Sequence, residues 1–253
     1  MDMHEQATAV TSTAGSTVSG DTVPELRAQG AIHRLLARLL EQEIDADLLQ
    51  LLRSDLREPL AAVGIGLDGL MPAAETTDGQ ILEALAEEYT GLLVAPGGVS
   101  PYFSVFETGC MFQHPCDRVV EAYHAAGWDY RRHYSGEFPD HIGTMLGFVG
   151  ILFDAEADAR EGITDADAEE IARQRTAFIV DLLAPWAPGW CRRAAQAALH
   201  PFYRQLLGLL EQMLWSEISA LVDRRQLRDI QLSNRREPKK LDYNADFRKA
   251  SGV

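Results

Sequence analysis

Apolar residues recur along this chain at spacings of three and four, the period of one helical face, almost from end to end. Between Pro24 and about Ile44 the stripe is Ile32, Leu35, Leu36, Leu39 and Leu40, with Pro24 suited to a first helical turn. A second helix is predicted from about Asp45 to Val63, where Gly64, Gly66 and Gly69 break the pattern. Asp78 is placed to cap a third, in which Ile81, Leu82, Leu85, Tyr89, Leu92 and Leu93 share a face until Ala95-Pro96-Gly97-Gly98. Val99 to Phe106 reads as irregular and aromatic, since Pro101 disfavours helix at its start. Short helices follow over 107–114 and 116–126, then a loop of aromatic and charged residues from Trp128 to Phe138. Pro139 opens a strong helix to about Ala159, carrying Ile142, Leu146, Val149 and Phe153 on one side. A helix over about 165–184 has Thr164 and Asp167 as a capping pair, and the last segment, Gly189 to about Gln226, breaks near Pro201. No hairpin dipeptide separates alternating runs, so strands are not expected. The pattern predicts an all-α bundle of about nine or ten helices in two lobes, joined by a hinge at about 127–139.

Composition refines this picture. With 253 residues, 46% of them apolar, the chain has enough material for a sizeable core. No window approaches the roughly 18 uninterrupted apolar residues of a membrane-spanning helix. Residues 1–23 open on acids, lack an apolar export segment and read as a polar, disordered lead, so a cytoplasmic location is expected. Cys110, Cys116 and Cys191 are too few and too odd in number for a disulfide framework. The formal charge of −15 is uneven: residues 223–253 hold nine of the 23 Lys/Arg but only five of the 38 Asp/Glu. The chain therefore divides into the lead, an acidic helical body over 24–222 and a basic tail over 223–253. The acidic body argues against nucleic acid or anionic lipid as a partner and suits basic peptides; it is equally what solubility requires.

Signatures of catalysis are missing: there is no GxGxxG, GxxxxGK[ST], GxSxG or HExxH. Cys110, His114 and Cys116 have metal-like chemistry, but a structural zinc site usually wants four ligands in paired spacing, so neither metal nor cofactor is expected. Two segments stand out instead. VSPYFSVF sets Tyr102, Phe103 and Phe106 in non-helical chain, and GEFPDHIG sets Phe138 before a proline with Asp140 and His141 in a first helical turn. Apolar surface beside a carboxylate would suit a ligand with adjacent arginines followed by apolar residues. Asp140 would equally serve its own helix dipole, and the aromatics would equally pack an interface.

Four stretches in order carry a resemblance: EEYTGLLVAP at 87–96, PYFSVFETGCMFQHP at 101–115, FPDHIGTMLGFVGIL at 138–152 and FIVDLLAPWAPGWCRRAAQAALHPFYRQLLGLL at 178–210. The chain resembles the TorD/DmsD/NarJ family of chaperones for molybdenum oxidoreductases, with Asp181 where that family usually has histidine. The resemblance implies a non-enzymatic, all-helical protein. It would bind the signal, commonly twin-arginine, and the apo form of a molybdenum-enzyme catalytic subunit precursor, assist cofactor insertion and delay export. By position it implies that Tyr89, Leu92, Leu93, Pro101, Tyr102, Asp140 and His141 bind the signal, and Phe106 and Phe138 of the two aromatic segments are expected to join them. It suggests a client of the type II branch of the DMSO reductase superfamily and leaves a monomer or a domain-swapped dimer open. Two other readings remain: a nitrate reductase delta-type assembly factor for a client that is not exported, and a small metal-binding enzyme.

Overall fold

The computed structural model describes residues 22–67, 69–72, 76–133 and 137–240. Most of the expected lead, part of the expected hinge (134–136) and the end of the tail (241–253) lie outside these. In chain order the helices are α1 (Val23–Glu41), α2 (Ala46–Arg53), α3 (Arg57–Ala62), α4 (Asp78–Tyr89), α5 (Phe103–Thr108), α6 (His114–Ala125), α7 (Ile142–Arg160), α8 (Ala168–Phe178), α9 (Ala187–Ala197), α10 (Pro201–Leu221) and α11 (Arg224–Ser233). Single π-helical turns, Thr90–Val94 and Ile179–Leu183, extend α4 and α8. Among the described residues there is no strand, only an isolated antiparallel bridge between Tyr102 and His141. The fold is all-α, with eleven α-helices among the described residues where nine or ten were expected.

Helix α7 is the centre of the bundle because its apolar residues surround it: Met145, Leu146, Val149, Leu152 and Phe153 are all buried. Its main partner is α1. The two backbones meet closely at paired glycines. A Cβ built on Gly30 would lie 3.1 Å from the Gly150 carbonyl oxygen, and one on Gly150 would lie 3.0 Å from that of Gly30. Further along, a Cβ on Gly143 would meet Glu41 Cγ at 2.5 Å and the Ala37 carbonyl oxygen at 3.1 Å. Small residues thus bring the C-terminal end of α1 against the N-terminal end of α7, which is where the groove described below forms.

Several boundaries differ from those predicted, each for a local reason. The helix expected from Asp45 to Val63 is two, since the Ser54 hydroxyl donates to the Gln50 carbonyl at 2.9 Å and draws the chain into a turn. Thr77, not Asp78, caps α4, and Asp167 caps α8 alone by accepting from the N–H groups of Glu169 and Glu170. Phe103 to Thr108 is helical, not irregular, because Pro101 restricts only the residue ahead of it and α5 begins two residues later. Helix α7 starts at Ile142 rather than Pro139. His141 is its N-cap, its Nδ1 accepting from the Gly143 N–H at 3.0 Å, and Asp140 precedes it.

The basic C-terminal segment packs against the body as far as Lys239. Asn234 is 1% exposed, and its side chain bridges the end of one helix to the start of another. It accepts from the Gly189 N–H at 2.7 Å and donates to the carbonyls of Ala184 at 2.7 Å and Ile230 at 2.8 Å. Arg236 forks onto Glu107 at 2.7 and 3.1 Å, and the Lys239 N–H donates to the Phe106 carbonyl at 3.0 Å. Asn234→Ala is expected to lower stability by about 1–3 kcal/mol, the cost of stranding buried polar groups. The check is a lower urea midpoint with an unchanged slope.

Candidate binding groove

The groove starts from the pairing of two irregular segments. The Phe103 N–H donates to the Asp140 carbonyl at 3.0 Å and the Ile142 N–H to the Pro101 carbonyl at 2.9 Å. These bonds hold Pro101-Tyr102 alongside His141. Asp140, 2% exposed, lies beneath the pairing and accepts from the Ser104 N–H at 2.8 Å, so it caps α5 from 36 residues away. The Tyr123 hydroxyl donates to the Pro139 carbonyl at 2.7 Å and fixes the far side of the turn.

The opposing wall comes from the end of α1 and the segment leading to α2. Tyr89 joins the walls: its hydroxyl donates to the Glu41 carbonyl at 2.7 Å. Between them lies a groove of about 480 Å³, with Tyr89, Leu93, Val94, Pro101, Tyr102 and His141 on the apolar side. Facing these are Glu41, Glu43 and Asp45 with one cation, Arg38. Arg38 is drawn to Asp45 at 2.6 Å, and Glu43 accepts from the Thr90 hydroxyl at 3.2 Å, so carboxylates remain in excess. A second cavity of about 340 Å³ shares Arg38 and Glu41 and is walled by Trp128, Tyr130, Glu137 and Phe148.

Two groups here have shifted acidities. Burial, reinforced by the neighbouring Glu137 carboxylate and only partly offset by Thr144, Arg38 and His133, raises Glu41 to about 7. Burial lowers His141 to about 3, so the ring is neutral near pH 7. With Nδ1 accepting from the Gly143 N–H, the proton of the neutral His141 ring sits on Nε2.

Of the residues expected at the site, Tyr89, Leu93, Pro101, Tyr102 and His141 share this groove. Phe138 adjoins it through Tyr102, the ring centroids 5.6 Å apart. Leu92 is buried and is not among its walls. Phe106 faces elsewhere, packed on Trp186 with the Arg193 and Arg236 guanidinium groups over its ring at 5.0 and 5.7 Å. The sequence reading missed Glu41, Glu43 and Asp45, although the run EQEIDAD at 41–47 was a visible acidic signal between two helices. As for metal, no group of three His, Cys, Asp or Glu side chains among the described residues is placed to hold an ion, and all three cysteines are free. No helix among the described residues is long and apolar enough to cross a membrane.

Fold and groove together define an all-α protein with a mixed carboxylate and aromatic recess. A family model described as nitrate reductase delta subunit matches residues 54–192, more than half of the chain. The chain belongs to this family, the TorD/DmsD/NarJ group of molybdoenzyme maturation chaperones, which act with molybdoenzyme catalytic subunits and are not catalysts. It is 27% identical over 179 residues to the chaperone protein TorD of Vibrio vulnificus strain YJ016, covering 69% of this chain and 80% of that protein. The TorD chaperone of strain CMCP6 is 28% identical over the same shares.

Proposed function

We propose that this chaperone acts in the cytoplasm, where it holds the N-terminal signal of a molybdenum-enzyme catalytic subunit in the groove between the end of α1 and the paired Pro101-Tyr102 and His141 segments. The observation that supports this most is the pairing of three carboxylates with an aromatic wall in one recess. A peptide with arginines ahead of an apolar run matches both, because the guanidinium groups ion-pair while the run is buried. In this reading Tyr89, Leu93, Pro101, Tyr102, Phe138 and His141 contact the signal. Asp140 holds Tyr102 and His141 in place, while Leu92 and Phe106 are buried away from the groove and do not contact the signal. Holding the signal keeps the apo subunit available for cofactor insertion and delays export. The nitrate reductase delta description of the matching family model favours a second reading, assembly of a client that stays inside.

The two readings separate on the client. Full-length chaperone is mixed with its molybdoenzyme precursor, with and without the precursor's first residues, and retention is measured. Retention that depends on an arginine-bearing leader supports the first; retention independent of any leader supports the second. Glu43→Gln with Asp45→Asn is expected to weaken leader binding about threefold to tenfold at low salt, and less at high salt. Asn at position 45 keeps the cap on α2, so the melting temperature is expected to hold.

A further inference from the structure

Tyr102 and His141 form the edge of the groove's lining. A run of edge-to-face aromatic contacts leads out of it: His141 to Tyr102 at 5.2 Å, Tyr102 to Phe138 at 5.6 Å and Phe138 to Phe112 at 4.9 Å. Phe112 ends this track and is 64% exposed. Its φ is +58°, and among the described residues it is the one non-glycine residue at positive φ. A bulky side chain there sacrifices backbone energy and, being exposed, recovers little from burial. The surrounding turn is nevertheless well defined. Gly109 is left-handed at the end of α5, and the Thr108 hydroxyl donates to the Ser104 carbonyl at 2.7 Å. An aromatic held outward at such a cost, continuous with a groove acidic at its other end, indicates a partner that supplies the missing burial.

We propose that Phe112, Phe138 and Tyr102 form a docking track for the apolar run of a peptide whose cationic residues lie at Glu41, Glu43 and Asp45. The bound segment therefore has one direction, arginines toward the start of α2 and apolar residues toward Phe112. Charge complementarity fixes one end and the aromatic track the other. This rests on the signal-binding reading and adds to it an orientation and a specificity residue.

The test uses the full chain and a synthetic peptide of two adjacent arginines followed by a leucine and alanine run. A benzophenone side chain is placed either at the far end of the run or beside the arginines. The far-end probe should crosslink to residues 109–113 and the near probe to residues 41–45; the reverse assignment, or crosslinks to neither segment, overturns the proposal. Phe112→Gly removes the ring and relieves the positive φ, so it should weaken binding about tenfold while the melting temperature holds or rises. Unchanged affinity in Phe112→Gly overturns the track. If Glu41→Gln weakens binding in that case, the groove reading survives without it. Failure of the peptide to bind wild-type protein overturns both.

Discussion

Glu156→Ala is expected to be the most damaging single change in the helical body, lowering stability by about 3–5 kcal/mol. Glu156 is fully buried on α7, where it accepts from Arg175 Nη2 at 2.7 Å and Nε at 3.2 Å and also pairs with Arg160. The Arg175 guanidinium, 7% exposed, lies over the Phe153 ring at 4.0 Å. Removing the carboxylate takes away a charge that offsets a buried arginine, so a large part of the cost of desolvating that cation is no longer repaid. In a chain of this length the melting temperature should fall by roughly 10 °C. The double change Glu156→Leu with Arg175→Met should recover much of the loss, because apolar replacement of a whole buried pair is often close to neutral. A double variant as unstable as the single one would show that the pair was not the cause.

Asp140→Ala is expected to cost about 2–4 kcal/mol, since it strands the buried Ser104 N–H and uncaps α5. Burial, and then the neighbouring Asp140 carboxylate, push the Cys116 thiol up to about 12. Asp140→Asn keeps an acceptor and should lose about 1 kcal/mol. Both variants should weaken leader binding in proportion to their loss of stability, because Tyr102 and His141 depend on the same pairing. The contrast decides Asp140's role. If Asp140→Asn abolished leader binding with an unchanged melting temperature, Asp140 would be contacting a client arginine directly.

The helices were legible because their stripes are long and regular: α1, α4 and α7 appear where the three-and-four spacing put them. What escaped was decided by contacts distant in sequence. Nothing near Phe103 announces a helix, since the cap on α5 is Asp140, on a segment 36 residues away. The docking of residues 223–239 was hidden likewise. Their net positive charge gives no sign of a docked segment, yet the buried Asn234 secures them by bonding to Ala184 and Gly189. Within the groove, the aromatic side was readable from PYF and FPDH, whose paired strand-like contacts bring them together. The acidic side was not, because EQEIDAD looked like an ordinary helix-to-helix link. Only the close glycine crossing of α1 on α7 sets it opposite the aromatics.

The signal-binding reading turns on whether this groove reads arginine. Calorimetric titration of the full chain with a peptide of two adjacent arginines before an apolar run, and with the same peptide carrying glutamines instead, tests it directly. Glu41, raised to about 7 by burial and Glu137, must ionise to pair with a guanidinium, so binding should release a proton. Affinity for the arginine peptide should therefore rise as pH passes upward through about 7. It should exceed that for the glutamine peptide by about tenfold or more. Glu41→Gln should remove both the pH dependence and most of that preference. Equal affinities for the two peptides, unchanged by pH and by Glu41→Gln, would contradict the account.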